Sequence, residues 1–103
     1  MKIYLSGKIT GLEIKAVTEK FKWHQTFLEL KGFKVINPIQ ISKDLPKEST
    51  WKAYMVNDIS HLIDCDAIFL LKDWGQSKGS RIEYAIAKEM GMKIFFEGEF
   101  SNQ

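Results

Sequence analysis

Apolar residues along this chain fall into short blocks separated by turn chemistry. "KIYLS" (residues 2–6) is a brief apolar run stopped by Gly7, the mark of a strand. Thr10-Gly11-Leu12-Glu13 has the T-x-x-E form of a capping box, so a helix is expected to follow, up to about Lys31. Its stripe would be Val17, Phe21, His24 and Leu28, with Gly32 ending it. "FKVINP" (33–38) predicts a second strand stopped by Pro38. Residues 37–50, which hold both prolines, read as a long surface loop. Helical period returns from Trp51 to Ile63. "AIFLL" (67–71) is a continuous apolar run, as in a strand buried on both faces. A third helix runs from Ser77 or Ser80 to Met90 and closes at Gly91, and "KIFFE" (93–97) predicts a last strand.

The order is therefore β-α-β-α-β-α-β. Strands that alternate with helices of ten or more residues imply parallel pairing through right-handed crossovers. The expected architecture is α/β: a small three-layer Rossmann-like or flavodoxin-like fold, its four-stranded parallel sheet in order 2-1-3-4, forming one domain over residues 1–103. Ligands of such sheets bind beyond the carboxyl ends of the strands, where the order reverses. That directs attention to "SGKITG", to the tail of "FLLKDWGQS", and to the helix start that follows it.

Two carboxylates break the pattern. The stripe Trp51, Tyr54, Met55, Ile59, Leu62 lacks its i+7 member, and that position is Asp58. A carboxylate within an apolar stripe is costly unless it is bonded or faces a cavity. Asp58 therefore either bonds backbone amides of a neighbouring loop or lines a pocket. His61, one turn later, is within reach as a partner. Glu83 poses a similar choice. If Ser80 is the N-cap, S-x-x-E is a capping box and Glu83 folds back on it. If Ser77 is the cap, Glu83 shares a face with Ile86, Ala87 and Met90 and sits at the open end of the sheet. There partial desolvation would raise its pKa and suit it to nucleophilic or acid–base work.

The rest of the composition narrows the function. A chain of 103 residues, 45% hydrophobic, builds a modest core, and self-association is a common remedy at this size. The net charge of +2, with pI near 8.6, carries no concentrated basic face for duplex nucleic acid. Cys65 is the single cysteine, which excludes an internal disulfide and CxxC metal chemistry and fits a reducing cytoplasm. His24 and His61 lack metal-ligand spacing. No apolar run reaches membrane-spanning length, and "MKIYLSG" is too short for a signal peptide. A soluble intracellular protein is expected. "SGKITG" offers amides at a helix start for an anion, with Lys8 beside them, or is a plain turn. Trp74 either stacks on a base or covers the core.

Taken in order, "IYLSGKITG", "NP", "WKAYMVNDISHLIDCD" and "LLKDWGQSKGSRIEYAIAKEMG" resemble the nucleoside 2-deoxyribosyltransferase-like superfamily over nearly the whole chain. They are most similar to its small DUF4406-type members, with deoxynucleoside 5′-monophosphate N-glycosidases as relatives. The resemblance implies that Glu83 is the catalytic glutamate. By the same mapping Ser77 holds the phosphate end, Gly79 is among the substrate-binding residues, Asp58 and Asp66 assist at the sugar or base, and Tyr4 hydrogen-bonds the nucleophile or sugar. Gly7 and Gly11 then lie beside sugar or phosphate, with Lys8 and Thr10 in the same loop. It also implies a nucleoside or nucleotide ligand, a homo-oligomer (dimer or tetramer), and no metal or other cofactor.

The sequence departs from its relatives in places. Lys8-Ile9-Thr10 stands where the glycosidases carry an arginine, and lysine meets phosphate as a point charge rather than a fork. Bulky Lys78 and Arg81 flank the glutamate element, and Arg81 either reaches a phosphate or points to solvent. Many of the transferases complete their pocket with a partner's C-terminal carboxylate, whereas "FEGEFSNQ" is short and polar. The expected activity is cleavage or transfer at the N-glycosidic bond of a 2′-deoxynucleoside or its 5′-monophosphate. The alternatives are a non-catalytic nucleotide-binding or sensing module, a phosphoribohydrolase of ribonucleoside monophosphates, whose PGGxGTxxE element is absent, and a purely structural subunit.

Overall fold

The computed structural model describes residues 1–100, so Ser101–Gln103 of the polar C-terminal stretch lie outside the described residues. Four strands form one parallel sheet: β1 (Lys2–Ser6), β2 (Lys34–Ile36), β3 (Ala67–Leu70) and β4 (Lys93–Phe96). Their order is β2-β1-β3-β4, as the alternation of elements predicts. The helices are α1 (Ile14–Leu30), α2 (Pro38–Ile41), α3 (Trp51–Leu62) and α4 (Lys78–Glu89).

Strand alternation divides the core into two layers. Ile3 and Leu5 of β1, with Ala67 and Phe69 of β3, pack against Val17, Phe21 and Leu28 of α1. The intervening residues Tyr4, Ile68 and Leu70 face the other way, with Leu62 of α3 and Ala87 of α4. Side chains two apart on a strand share a face, so Ser6 must point to the same side as Tyr4. His24 completes the buried stripe of α1. Its Nε2 lies 3.7 Å from Glu97 Oε1, while burial pulls its pKa below the ordinary value. Cys65 is a buried core residue whose thiol donates to the His61 carbonyl at 3.4 Å.

Three local expectations are corrected. The T-x-x-E box does not form: α1 starts at Ile14, and Glu13 is itself the cap, its carboxylate accepting from the amides of Lys15 (2.9 Å) and Ala16 (3.1 Å). Gly11, at φ +85°, turns the chain before the helix can begin. Residues 37–50 are not one loop. Asn37 caps α2 through the Ile39 amide, and Pro38 occupies its first turn, where proline's missing N–H costs nothing. A 3-10 turn, Ser42–Asp44, follows. The apolar stripe of α3 is also only partly core: Met55 and Leu62 are buried, whereas Trp51 is 40% exposed.

At the carboxyl edge of the sheet, Gly7 follows β1 against Leu71. A β-carbon on Gly7 would lie 2.7 Å from Leu71 Cδ1 and 3.0 Å from its Cβ. We expect Gly7→Ala to destabilise the fold by about 1–3 kcal/mol, the usual range for overpacking. Gly75→Ala, in open space, should stay within about 1 kcal/mol of the parent. Urea unfolding of the two variants checks this, and equal midpoints would refute the close-packing argument.

Candidate active site

Glu83 is the most constrained polar group on the carboxyl side of the sheet. Ser77 is the N-cap of α4, its Oγ accepting from the Ser80 amide at 3.1 Å. Ser80 therefore occupies the third position of the helix, and Glu83 is too deep to cap anything. The capping box is not formed. Glu83 is only 5% exposed. Its Oε2 accepts from the Tyr4 hydroxyl at 2.8 Å, and its Oε1 accepts from Ser6 Oγ at 2.7 Å. Both donors lie on the face of β1 that strand alternation assigns them.

Burial pushes the Glu83 carboxyl up to about 7. The hydrogen bonds from Ser6 and Tyr4 pull the other way, and the charge of Asp58 adds to the rise. Tyr4, itself raised well above the ordinary tyrosine value by burial and then by Glu83, remains a phenol and hence a donor.

Asp58 approaches from α3. Burial raises it to about 7 as well. Among the described residues it bonds no loop amide and does not pair with His61, whose Nδ1 lies 2.9 Å from the Asn57 carbonyl oxygen. Its Oδ1 is buried with no partner. The charge of Asp58 adds to the rise at Glu83, whereas burial alone accounts for the rise at Asp58.

Both carboxyls line a cavity of about 710 Å³, within the range of small-ligand sites. Gly7, Lys8, Ile9 and Thr10 form one wall after β1. Pro38, Ile39 and Ser42 form another. Trp51, Tyr54 and Met55 of α3 face the start of α4, namely Gln76, Ser77, Lys78 and Gly79. Lys78 Nζ sits 5.0 Å from the centre of the Trp51 ring, a cation–π contact between the two helix starts. The loop after β1 is tied down by Asp73, which accepts from the Lys8 amide (2.9 Å) and from Lys20 Nζ (2.6 Å). Burial alone would raise Asp73, but these bonds hold it below its ordinary value.

Of the residues singled out from sequence, Tyr4, Gly7, Lys8 and Thr10 meet here, together with Asp58, Ser77, Gly79 and Glu83. Four others do not. Gly11 lies in an exposed turn. Asp66 sits before β3, at the opposite edge of the sheet, where its Oδ2 accepts from the Lys2 amide at 2.8 Å. Trp74 packs on Tyr84 and Phe96, with ring centres 4.8 and 6.1 Å away, and so covers the core. Arg81 is exposed and donates to the Gly75 carbonyl at 2.8 Å. Ser6 and Ser80 were not foreseen. For Ser6 the signal was present: a polar residue two positions from Tyr4, at the carboxyl end of a buried strand. Among the described residues, no three His, Cys, Asp or Glu side chains converge as metal ligands. No described helix is long and apolar enough to cross a membrane.

The family described as "Domain of unknown function (DUF4406)" matches residues 1–96. Among solved structures, the chain is similar to a 2-deoxyribosyltransferase from the psychrotolerant bacterium Bacillus psychrosaccharolyticus. The TM-score is 0.73 over 99% of this chain and 77% of that one, at 18% identity, a likeness of fold. No curated protein matches in sequence.

The burial of Glu83 has a consequence for stability. A carboxyl raised from 4.5 to about 7 binds its proton more tightly folded than unfolded. Its contribution is complete below about pH 4.5 and is lost as pH rises through about 7. Glu83→Gln removes this dependence. We expect the variant to exceed the parent in stability by on the order of 2 kcal/mol above pH 8, and by much less near pH 5. Thermal unfolding across that range checks the sign; a difference that does not vary with pH would rule it out.

Proposed function

We propose a reaction for this chain, which belongs to the DUF4406 family: cleavage or transfer at the N-glycosidic bond of a 2′-deoxynucleoside or its 5′-monophosphate. The observation that carries the proposal is the buried Glu83 carboxylate, held by Tyr4 and Ser6 and joined by Asp58 at one cavity.

Glu83 attacks C1′ from the face opposite the base. A bond forms between a carboxylate oxygen and C1′, the C1′–N bond breaks, and its electron pair leaves with the base. Positive charge builds on the sugar during this step, and a desolvated carboxylate stabilises it more strongly than one in water. Tyr4 and Ser6 each occupy one lone pair of the carboxylate, which fixes its orientation and leaves others for attack. Asp58, carrying the pair's proton, gives it to the departing base. Water or a second base then attacks C1′ and loses a proton to Asp58, which releases Glu83. Water gives hydrolysis and a base gives transfer. The scheme is that of a retaining glycosidase, with two carboxyls in two roles.

The walls of the cavity suit the rest of such a substrate. Trp51, Tyr54 and Ile39 offer apolar and aromatic surface to a base. Lys8 and Lys78, with the first amides of α4, suit an anion at the 5′ end.

Base release from a panel of deoxynucleosides, ribonucleosides and their 5′-monophosphates, with and without a free second base, tests the reading. We expect release or exchange from deoxy substrates, and a fall of at least about 10³-fold in Glu83→Ala. Binding without turnover of any substrate would reassign the chain as a nucleotide-binding module, and a preference for ribose as a phosphoribohydrolase.

The pH profile should be a bell near neutrality. Its acid limb reports protonation of Glu83 and its alkaline limb loss of the proton on Asp58, both near 7. Asp58→Asn should lower the rate by about 10²-fold and flatten the alkaline limb. An alkaline limb unchanged in that variant would remove Asp58 from proton transfer.

A further inference from the structure

Among the described residues, two buried side-chain polar atoms lack any hydrogen-bond partner: Asp58 Oδ1 and Ser80 Oγ. Both residues line the same cavity. Asp58 has a role in the reaction proposed above, and Ser80 has none. Yet Ser80 is only 1% exposed, and its hydroxyl forgoes even the bond to the preceding turn that serines in helices often make. Buried hydroxyls are normally bonded, and an orphan beside a cavity takes its partner from a water or from a ligand.

The position of Ser80 says which part of the ligand that is. It precedes Glu83 by three residues, so the two side chains share one face of α4 a turn apart. Gly79, just before it, lets α4 approach α3, where a β-carbon would stand 3.1 Å from Met55 Sδ. Glu83 attacks the sugar on the face opposite the base. In a β-nucleoside the base and C5′ occupy one face of the ring, and the 3′-hydroxyl occupies the other. A neighbour of Glu83 on its own helix therefore meets the face that carries the 3′-hydroxyl.

We propose that Ser80 is a specificity-determining residue whose hydroxyl hydrogen-bonds the 3′-hydroxyl of the substrate sugar, on the face from which Glu83 attacks. The proposal rests on the glycosyl reading of the site and adds to it a group that the substrate must carry. A sugar without a 3′-hydroxyl leaves Ser80 buried and unbonded, so the site discriminates against it.

The test compares Ser80→Ala with the parent on 2′-deoxynucleosides and their 5′-monophosphates, and on the 2′,3′-dideoxy counterparts. The parent should prefer the 3′-hydroxyl substrate in kcat/KM by at least about 10-fold, the scale set by leaving a buried polar group unpaired. Ser80→Ala should lose that preference by falling on the deoxy substrate alone. Its melting temperature should hold or rise, because the variant removes an unbonded buried hydroxyl. A Ser80→Ala enzyme that falls equally on both substrates, or on neither, overturns the assignment while leaving the glycosyl reading intact. If the parent releases no base, calorimetric affinities for the same four kinds of ligand decide: equal affinity of parent and variant for the deoxy ligands overturns it. Absence of both turnover and binding overturns the assignment and the glycosyl reading together.

Discussion

The pair of hydrogen bonds from Tyr4 and Ser6 to Glu83 joins the central strand to the last helix, and the rest of the site is arranged around it. A carboxylate that is 5% exposed loses most of its hydration. Two hydroxyl donors restore part of that loss, but not all, since the carboxyl still titrates near 7. Three independent local choices must agree for the bonds to exist. The two-residue period of β1 must set Tyr4 and Ser6 on the α4 side. Ser77, not Ser80, must start α4, so that Glu83 falls on its sheet-facing side. The parallel register of β1 with β3 must place Ser6 level with Leu70, at the carboxyl edge. A shift of one residue in β1 would turn both hydroxyls to the other face and leave the buried carboxylate without donors.

Close backbone approach makes that agreement possible. Gly7 allows the chain to leave β1 against Leu71, and Gly79 allows the start of α4 to reach Met55 on α3. Asp73 then fixes the loop after β1 from the other side, through the Lys8 amide and Lys20. The floor of the cavity thus belongs to the sheet and its walls to the connections, the usual division between a rigid scaffold and the segments that vary.

Much of the fold was legible because continuous apolar runs and helical periods alternate with few ambiguities. The strand order followed from that alternation, and Asp58 and Glu83 stood out because each breaks an apolar face. What escaped notice escaped for physical reasons. "NP" reads equally as the end of a strand and as a cap followed by the first residue of a helix, and Asn37 and Pro38 do both. Thr10 and Glu13 have the spacing of a capping box, but a glycine with positive φ lies between them, so Glu13 caps alone. Resemblance groups Asp66 with Asp58, although a residue that precedes a parallel strand must lie at the amino edge, away from the site. Trp74 and Arg81 are at the right level, but their side chains turn toward the core and along the surface. Ser6 beside Gly7 looks like turn chemistry, although its spacing from Tyr4 marks its face, and Ser80 looks like a cap, which hides its burial.

The two desolvated carboxyls tie stability to chemistry. If packing alone had shaped α3 and α4, Asp58 and Glu83 would be apolar, because each ionised carboxyl in this setting lowers the stability of the folded chain as pH rises through about 7. Ser80 adds an unbonded hydroxyl to the same wall. These unfavourable groups are concentrated in one cavity, at the edge of the sheet where parallel α/β folds bind ligands. Under-bonded and desolvated groups that cluster this way fit a site whose partner comes from outside the chain. In the reaction proposed above, each of the three has a partner: the developing charge on the sugar meets Glu83, the departing base takes the proton of Asp58, and the 3′-hydroxyl meets Ser80.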